Sequence, residues 1–357
     1  MKRANTHEKV TTMSRALPMI GLILGATAGS GGALAADEEG GVTQEFVVDA
    51  AASDSGRVNG VGSTLSVGAT AALNNNSSVV GQVDGSTFNF GMKLDAAVDY
   101  NHDQHEWRNT LGIGEGLTRT PLVDDFVKSQ DRLALESIYL YHIVPSFGAF
   151  ARLSLDTAMF RGTDIRPEST TYAIARPDGT VDTVVGDRLT LTGPFRPLTL
   201  KQSIGAFARP VAREQVNVEI RAGLGARETI AESQLAVTDD DATPEIEVTE
   251  LQNVNQLGVE AVVSVWGALE EKRVNYKLSA EVMVPFAYSA LPAGDTRGAI
   301  DLTNIELLAQ LSFKLVEWAS LDYQLKAVRE PQLLDELQVQ NNLLLTFGLT
   351  TSSKPGE

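Results

Sequence analysis

The chain has no cysteine among its 357 residues. That absence excludes disulfide bonds, thiolate metal sites and a cysteine nucleophile. Basic residues are also in the minority, with 29 Lys and Arg against 46 Asp and Glu and a net charge of −17. Because nucleic-acid binding needs a basic face, this balance argues against nucleic acid as a partner.

Long hydrophobic runs are missing after the first 35 residues. A transmembrane helix needs about 18 or more consecutive apolar residues, and no later segment approaches that length. If the chain crosses a membrane, it must do so with strands, whose backbone hydrogen bonds are satisfied by pairing in a closed barrel.

Residues 1–35 have the layout of a secretory signal peptide. Basic residues between Lys2 and Arg15 precede a short apolar run at 16–28 and the small-residue site Ala33-Leu34-Ala35. We therefore expect residues 1–35 to be cleaved and the protein to be exported. The alternative is a membrane-anchor helix, for which the apolar run is shorter than the roughly 20 residues required.

Three further segments follow the predicted signal peptide. Residues 36–60 are acidic, small and Gly-rich, and predict a flexible periplasmic segment. Residues 61–349 show a repeated period of two and predict a barrel domain, and residues 350–357 form a polar C-terminal tail.

The period of two is clearest between Phe88 and Tyr100, where apolar and polar residues alternate. Side chains alternate between the two faces of a strand, so the pattern predicts one apolar and one polar face. Twelve segments show it, at residues 65–73, 88–100, 107–117, 133–141, 147–159, 198–206, 216–224, 257–265, 274–284, 305–313, 321–325 and 337–347. Runs of this kind suit tilted strands that cross a bilayer, which need roughly 9–11 residues.

Two features favour a membrane barrel over a soluble periplasmic β protein. Short connections alternate with long ones, as in outer-membrane barrels, which have short periplasmic turns and longer extracellular loops. The long connections are predicted at 74–85, 118–130, 162–197, 229–253, 287–301 and 330–336. Aromatic residues gather near the short turns, in the manner of an interfacial girdle: Tyr100, Trp107, Tyr139, Tyr141, Phe147, Tyr276 and Phe313.

The predicted fold class is therefore all-β, a transmembrane antiparallel up-and-down β-barrel of about 12 strands of the outer-membrane type. The expected surroundings are the lipid bilayer of a Gram-negative outer membrane, reached with the help of the barrel-assembly machinery. The apolar face is expected to meet lipid, because a lipid-facing Arg or Lys at the bilayer midplane costs about 2–4 kcal/mol.

The polar face then points into the lumen and carries charges of both signs. The lumen-facing candidates are Lys93, Asp95, Arg132, Glu136, Arg152, Asp156, Glu219, Arg221, Arg227, Glu260, Lys277 and Glu281. They can line a path for solutes, or they can pair across the interior and fill it. A twelve-stranded barrel is intermediate between filled and open barrels, so strand number does not choose between these alternatives.

Other chemical signals are weak. The acidic loop Asp239-Asp240-Asp241 lacks EF-hand spacing, which leaves a solvated loop or a cation site as alternatives. His102 and His105 lie close together in one turn, and His142 maps to the same end of the predicted barrel. No further residue completes a zinc site with them. No G-x-S-x-G elbow, cofactor motif or catalytic residue is apparent. Asp178-Gly179, between two β-prone runs, predicts a hairpin that folds the longest loop into a small ribbon.

Several segments between residues 62 and 165 resemble a family of bacterial outer-membrane proteins catalogued as a domain of unknown function, number 3078. They are Glu106-Trp107-Arg108-Asn109-Thr110-Leu111, Phe126-Val127-Lys128, Asp131, Ser137, Tyr139 and Phe160-Arg161-Gly162. The resemblance implies an outer-membrane location and a β-barrel fold, and it implies no substrate and no catalytic residues. One departure is that polar residues follow Phe347, whereas many such barrels end on an aromatic residue.

The sequence thus predicts a non-enzymatic integral outer-membrane barrel, with solute permeation or transport as its leading activity. The alternative is a closed structural barrel that displays extracellular loops to a partner. A less favoured alternative is an outer-membrane hydrolase.

Overall fold

The computed structural model describes residues 59–76, 85–239, 243–292 and 295–353. The predicted signal peptide and most of the predicted N-terminal segment lie outside the described residues, as do Asp240 and Asp241 of the acidic loop. Within the described residues, no helix is both long and apolar enough to cross a membrane.

The described residues form sixteen strands. Their bounds are β1 Gly60–Asn76, β2 Gly85–His102, β3 His105–Thr120, β4 Val123–Val144, β5 Phe147–Thr157, β6 Gly162–Ala175, β7 Val181–Thr192, β8 Leu198–Ala212, β9 Asn217–Ile230, β10 Leu235–Val237, β11 Ile246–Glu250, β12 Val254–Leu269, β13 Val274–Tyr288, β14 Asn304–Val316, β15 Ala319–Glu330 and β16 Leu334–Ser353.

Twelve of these strands close into one barrel, in the order β1-β2-β3-β4-β5-β8-β9-β12-β13-β14-β15-β16, with β16 pairing back onto β1. Each neighbouring pair is antiparallel. The prediction of an antiparallel up-and-down barrel of about 12 strands is therefore confirmed.

The other four strands form a separate sheet in the order β10-β11-β6-β7. The hairpin predicted at Asp178-Gly179 is confirmed, since β6 and β7 pair across it and Gly179 has a φ of 85°. A left-handed φ of this kind favours glycine. Strands β10 and β11 come from the next long connection, and β11 pairs with β6 in parallel. The sequence did not predict this addition, because parallel pairing of distant segments leaves no local signal.

The apolar face of the barrel strands points outward, as the alternation predicts. Leu153 is 50% exposed and Leu278 is 49% exposed, whereas the alternate residues Arg152 and Lys277 line the interior. Large exposed apolar side chains recur along the wall, as expected for a surface that meets lipid. The fold is that of a transmembrane, outer-membrane-type barrel.

The two ends of the barrel differ. We call the end with the tight turns after β2, β4, β8, β12 and β14 the short-turn end, and the opposite end the long-connection end. Trp107, Tyr139, Tyr141 and Phe147 are exposed near the short-turn end. Trp318 lies in the turn after β14 and stacks on Phe347, with ring centroids 6.0 Å apart.

Two predicted long connections are instead short hairpins. β3 runs to Thr120 and β4 begins at Val123, where a loop was predicted at 118–130, and β15 and β16 are joined by only three residues. At the C-terminus, β16 runs to Ser353, four residues beyond the predicted barrel boundary at 349. Backbone pairing with neighbours extends these strands past the segments where alternation is visible.

Candidate functional site in the barrel lumen

The structure places the twelve candidate charges on the inward side of the wall. Seven are buried, namely Asp95, Arg132, Glu219, Arg221, Arg227, Glu260 and Glu281. The other five are partly buried, namely Lys93, Glu136, Arg152, Asp156 and Lys277. A buried charge is costly unless it is paired and hydrogen-bonded, so the partners of these groups decide what the lumen can do.

One group of charges crosses the lumen near the short-turn end. Both carboxylate oxygens of Glu219 on β9 accept hydrogen bonds from Nη2 of Arg108 on β3, at 2.9 Å each. Arg209 on β8 donates to Glu219 at 2.8 Å and to Glu106 at 3.1 Å. His142 Nε2 lies 2.7 Å from Glu106 Oε2. Three strands separate β3 from β9 in the barrel, so this group bridges the interior.

An apolar cluster lies inside the barrel beside that group. Ile138, Leu140, Phe150 and Phe207 are packed together, and Leu140 and Phe207 are almost completely buried. The His142 ring meets Phe207 edge-on, with ring centroids 4.9 Å apart. These side chains leave the inner face of the wall apolar at this level, and they exclude water from it.

Glu281 on β13 is the centre of a second group, farther toward the long-connection end. It accepts hydrogen bonds from Arg152 on β5 at 2.8 Å, from Lys201 on β8 at 3.0 Å and from Arg227 on β9 at 3.1 Å. None of these strands is a neighbour of β13. Arg152 also donates to Glu136, at 2.6 Å.

Two more carboxylates extend this group. Glu306 on β14 accepts from Lys201 at 2.7 Å and lies 3.4 Å from Lys326 Nζ. Glu330 at the end of β15 accepts from Arg227 at 2.5 Å. The cations of β8 and β9 are therefore tied to the opposite wall.

The remaining candidates have weaker or more local contacts. Lys93 lies 3.5 Å from Asp322, and Arg132 pairs with Asp156 on the adjacent strand at 2.6 Å. The Arg221 guanidinium lies 5.8 Å from the centroid of the Phe150 ring.

Several candidates keep polar atoms without a hydrogen bond, among them Arg221 and Arg227, which each have one such nitrogen. Glu260 Oε1 lies 3.7 Å from Arg152, and Asp95 has one buried carboxylate oxygen without a hydrogen bond. For Lys277, the described part of the chain provides neither an ion pair nor a hydrogen bond. Lys277 lies near enough to Glu136 for an electrostatic interaction, but that carboxylate is bound by Arg152.

Between these groups and the long-connection end lies a cavity of about 830 Å³, here called the lumen cavity. Arg152, Lys201 and Lys277 are among the charged residues that line it. This volume falls within the range of about 300–1,000 Å³ that is usual for small-molecule sites.

The long connections cover the lumen cavity. Ala231, Ala236 and Leu251, from the β9–β12 connection, pack against Leu333 and Leu334 of the β15–β16 hairpin. Ala236, Leu251, Leu333 and Leu334 also line the cavity. The cover is therefore apolar, while the floor is charged.

The histidines that the sequence singled out do not come together as a metal site in the described residues. Among the described residues, no three His, Asp or Glu side chains are arranged to hold a metal ion. His105 Nδ1 lies 2.5 Å from the Tyr139 hydroxyl, and His102 lies 3.7 Å from Asp103. His142 bonds Glu106 and the carbonyl of Pro145.

Sequence reasoning missed several residues of the lumen. Glu106, Arg108 and Lys201 were not among the candidates, although the period of two assigns them to the inward face opposite Trp107 and Leu200. Phe150 and Phe207 were missed because an apolar residue at an inward position breaks the expected polar face.

Comparisons with known proteins agree with the predicted resemblance. Residues 74–162 match the family described as "Protein of unknown function (DUF3078)". The match covers β2–β5 of the barrel and lies within the region where the resemblance was predicted. No curated protein matches the chain significantly.

Solved structures with some similarity to this chain include three bacterial membrane proteins. The COG4313 outer membrane channel from Pseudomonas putida F1 is 10% identical, with 85% of this chain and 100% of that chain covered and a TM-score of 0.38. The β domain of the Bordetella autotransporter BrkA is 12% identical, with coverages of 82% and 99% and a TM-score of 0.31. The translocator domain of NalP from Neisseria meningitidis is 10% identical, with coverages of 81% and 86% and a TM-score of 0.31.

Proposed function

We propose that the protein is a non-enzymatic barrel of the Gram-negative outer membrane that receives a small molecule in its lumen cavity and is closed to free diffusion. The short-turn end is assigned to the periplasm and the long-connection end to the outside, following the usual arrangement of such barrels. The signal peptide predicted at residues 1–35 provides the export that this location requires.

The observation that carries the proposal is the bonding of Glu281. It holds cations from three strands that are not its neighbours, so side chains occupy the middle of the barrel. The charged group around Glu219 and the apolar cluster at Phe207 occupy a second level of the interior, nearer the short-turn end. Space remains above them, in the lumen cavity. This arrangement favours the closed barrel over the open permeation path that the sequence left as the leading activity.

Single-channel recording in planar lipid bilayers tests the closure. The purified barrel, shown to be folded by its resistance to SDS until boiled, is expected to give no discrete conductance steps. A general porin of known conductance, inserted under the same conditions, provides the positive control. Frequent open-channel steps from the folded protein would contradict the proposal and restore permeation as the activity.

A second candidate is display of the outer sheet to another protein. It is favoured by β7, an edge strand of the four-stranded sheet on which Val181, Val184 and Val185 are exposed. Exposed edge strands are sites at which another chain can pair. Replacing the three valines with lysine is expected to oppose such pairing, because charged side chains discourage edge-to-edge contact, and to leave the barrel and its lumen cavity intact.

A further inference from the structure

The strands that close the barrel pair with each other over only part of their length. β1 and β16 are in register from Ser63 opposite Ser353 to Ala69 opposite Phe347, which is seven residue pairs. β1 continues to Asn76 and β16 begins at Leu334. Within the described residues, segment 70–76 of β1 does not pair with segment 334–346 of β16.

Where they lack pairing with each other, these two strands are paired along their other edges. β1 is in register with β2 from Gly60 to Asn76, along its whole length. β16 is in register with β15 from Phe347 back to Leu334. Both strands therefore remain in the wall, and the break lies between them, in the half of the barrel nearer the long-connection end. We call this break the seam.

A break of this kind has a physical cost in a membrane. Lipid tails cannot hydrogen-bond to backbone N–H and C=O groups, which is why membrane barrels normally close completely. Each unpaired polar group in hydrocarbon costs free energy comparable to that of a lost hydrogen bond. This cost applies to the part of the seam that lies at the depth of the lipid tails.

The lumen cavity reaches the seam. Gln338, Val339, Gln340 and Asn341 line the cavity, and all four belong to the unpaired part of β16. Outside the same stretch, Leu337 and Leu343 are exposed to the surroundings of the barrel. The seam therefore stands between an apolar exterior and an interior space.

The lining of the cavity favours an anionic group. The chain as a whole has a net charge of −17, yet the cavity is lined by seven Lys and Arg and six Asp and Glu. Lys277 has no ion-pair partner among the described residues, as shown above. Arg196 is held only by a 3.4 Å bond to the carbonyl of Ile230 within the same described part of the chain. Two cations of the lining are thus available to a ligand.

We propose that the seam is a lateral opening through which a single-chain amphiphile with an anionic head group, such as a fatty acid, passes between the membrane and the lumen cavity. The alkyl chain crosses the apolar rim at Leu337 and Leu343, and the head group reaches Lys277. This inference rests on the proposed function, because it names the route into the closed barrel and the class of molecule that enters.

Cysteine pairs test whether the seam is open, and the absence of native cysteine makes them unambiguous. The pair Ala71→Cys/Leu345→Cys lies across the seam, in the register that the paired part of the two strands would continue. The control pair Val67→Cys/Leu349→Cys lies where β1 and β16 are in register. Both pairs are on the exposed face. A disulfide requires Cα atoms about 4.4–6.8 Å apart.

We expect mild oxidation to form the control disulfide readily and the seam disulfide at least tenfold more slowly, while a longer bis-maleimide links the seam pair. If the seam disulfide forms as fast as the control, the strands are paired there and the lateral opening is overturned. Heat-modifiability of each variant shows that the barrel is folded.

A binding experiment tests the ligand class. Dansyl-labelled undecanoate is added to the protein in phosphatidylcholine vesicles, and its fluorescence is titrated. We expect saturable binding, weakened about tenfold by Lys277→Gln, as for the loss of one hydrogen bond to a charged group. Lys272→Gln, in the short turn after β12 and 3.8 Å from Glu214, should leave the affinity unchanged, because Lys272 does not line the lumen cavity. Equal affinities for wild type and Lys277→Gln would overturn the assignment of the anionic head group.

Cross-linking the two strands at the seam combines the cysteine experiment with the binding experiment. Bis-maleimide closure of Ala71→Cys/Leu345→Cys should prevent probe binding, and the control disulfide at 67 and 349 should not. Binding that survives closure overturns the lateral route even if the bilayer recordings are silent and the closed barrel stands. Open-channel steps in those recordings would instead contradict the proposed function, whatever the seam does.

Discussion

Glu281 shows how a single residue can hold the interior of the barrel together. Its two oxygens accept hydrogen bonds from Arg152, Lys201 and Arg227, and the residue is 7% exposed. A buried ion pair contributes little net stability compared with apolar packing, but removing one partner leaves the others uncompensated. Each of the three cations also bonds a second carboxylate, Glu136, Glu306 or Glu330, so Glu281 is the group that joins the three.

Replacing that carboxylate with an amide tests the dependence. Glu281→Gln is expected to lower the free energy of unfolding by about 3 kcal/mol, because three cations inside the barrel lose the anion that they share. Urea unfolding in detergent, followed by tryptophan fluorescence, measures the change. Glu317→Gln, in the exposed β14–β15 turn, is the matched control. An equal effect of the two substitutions would show that Glu281 is not the centre of the network.

The four-stranded sheet outside the barrel has its own small core. Tyr172, Ile174 and Val248 are buried together, and the Tyr172 hydroxyl donates to Asp164 at 2.8 Å. Burial, together with this bond to Asp164, raises the pKa of Tyr172 above its usual value. Arg166 donates to the same carboxylate at 2.7 Å. The sheet therefore has an interior held by both packing and a hydrogen-bonded charge.

Removing one hydroxyl should loosen this sheet without disturbing the barrel. Tyr172→Phe is expected to cost the sheet about 1 kcal/mol, as for one buried hydrogen bond. Limited trypsin digestion measures the effect, since local opening increases cleavage after Arg188 about fivefold when opening and closing are fast relative to cleavage. Tyr288→Phe, a partly exposed tyrosine at the end of β13, serves as the control. Unchanged cleavage would show that the bond to Asp164 does not stabilise the sheet.

At the scale of the whole molecule, the barrel combines a filled half with a hollow half. The groups around Glu219 and Phe207 occupy the half nearer the short-turn end, and the lumen cavity occupies the other. The seam between β1 and β16 also lies in the hollow half. A wall that is complete around the plug and incomplete around the cavity suits sideways exchange with the membrane better than flow along the axis.

Emptying the filled half should convert the barrel into a pore. Phe150→Ala/Phe207→Ala removes two large buried rings from the apolar cluster and opens space for water beside the charged group. Planar-bilayer recordings are expected to show conductance steps that the wild type lacks. The control Phe147→Ala/Phe313→Ala removes two exposed outward-facing rings and should stay silent. The gel shift on heating shows whether the Phe150→Ala/Phe207→Ala variant is folded. If the folded variant gives no conductance steps, the charged groups alone close the lumen.

Local alternation was enough to predict the barrel. Strand β2 reads as one apolar and one polar face without knowledge of its neighbours, and the same holds for the other barrel strands. The side that meets lipid followed from the cost of exposing charge to hydrocarbon. The number of barrel strands, their antiparallel order and the hairpin at Asp178-Gly179 were therefore determined by the sequence itself.

Only the tertiary structure decided which inward residues meet. Arg152 and Glu281 are 129 positions apart in the chain, and their contact depends on how the strands are staggered when the barrel closes. The same is true of the parallel pairing between β11 and β6 and of the seam between β1 and β16. The period of two in the sequence tells which face of the strand a side chain is on. Its partner across the lumen depends on barrel closure and strand register, and no local sequence pattern determines these.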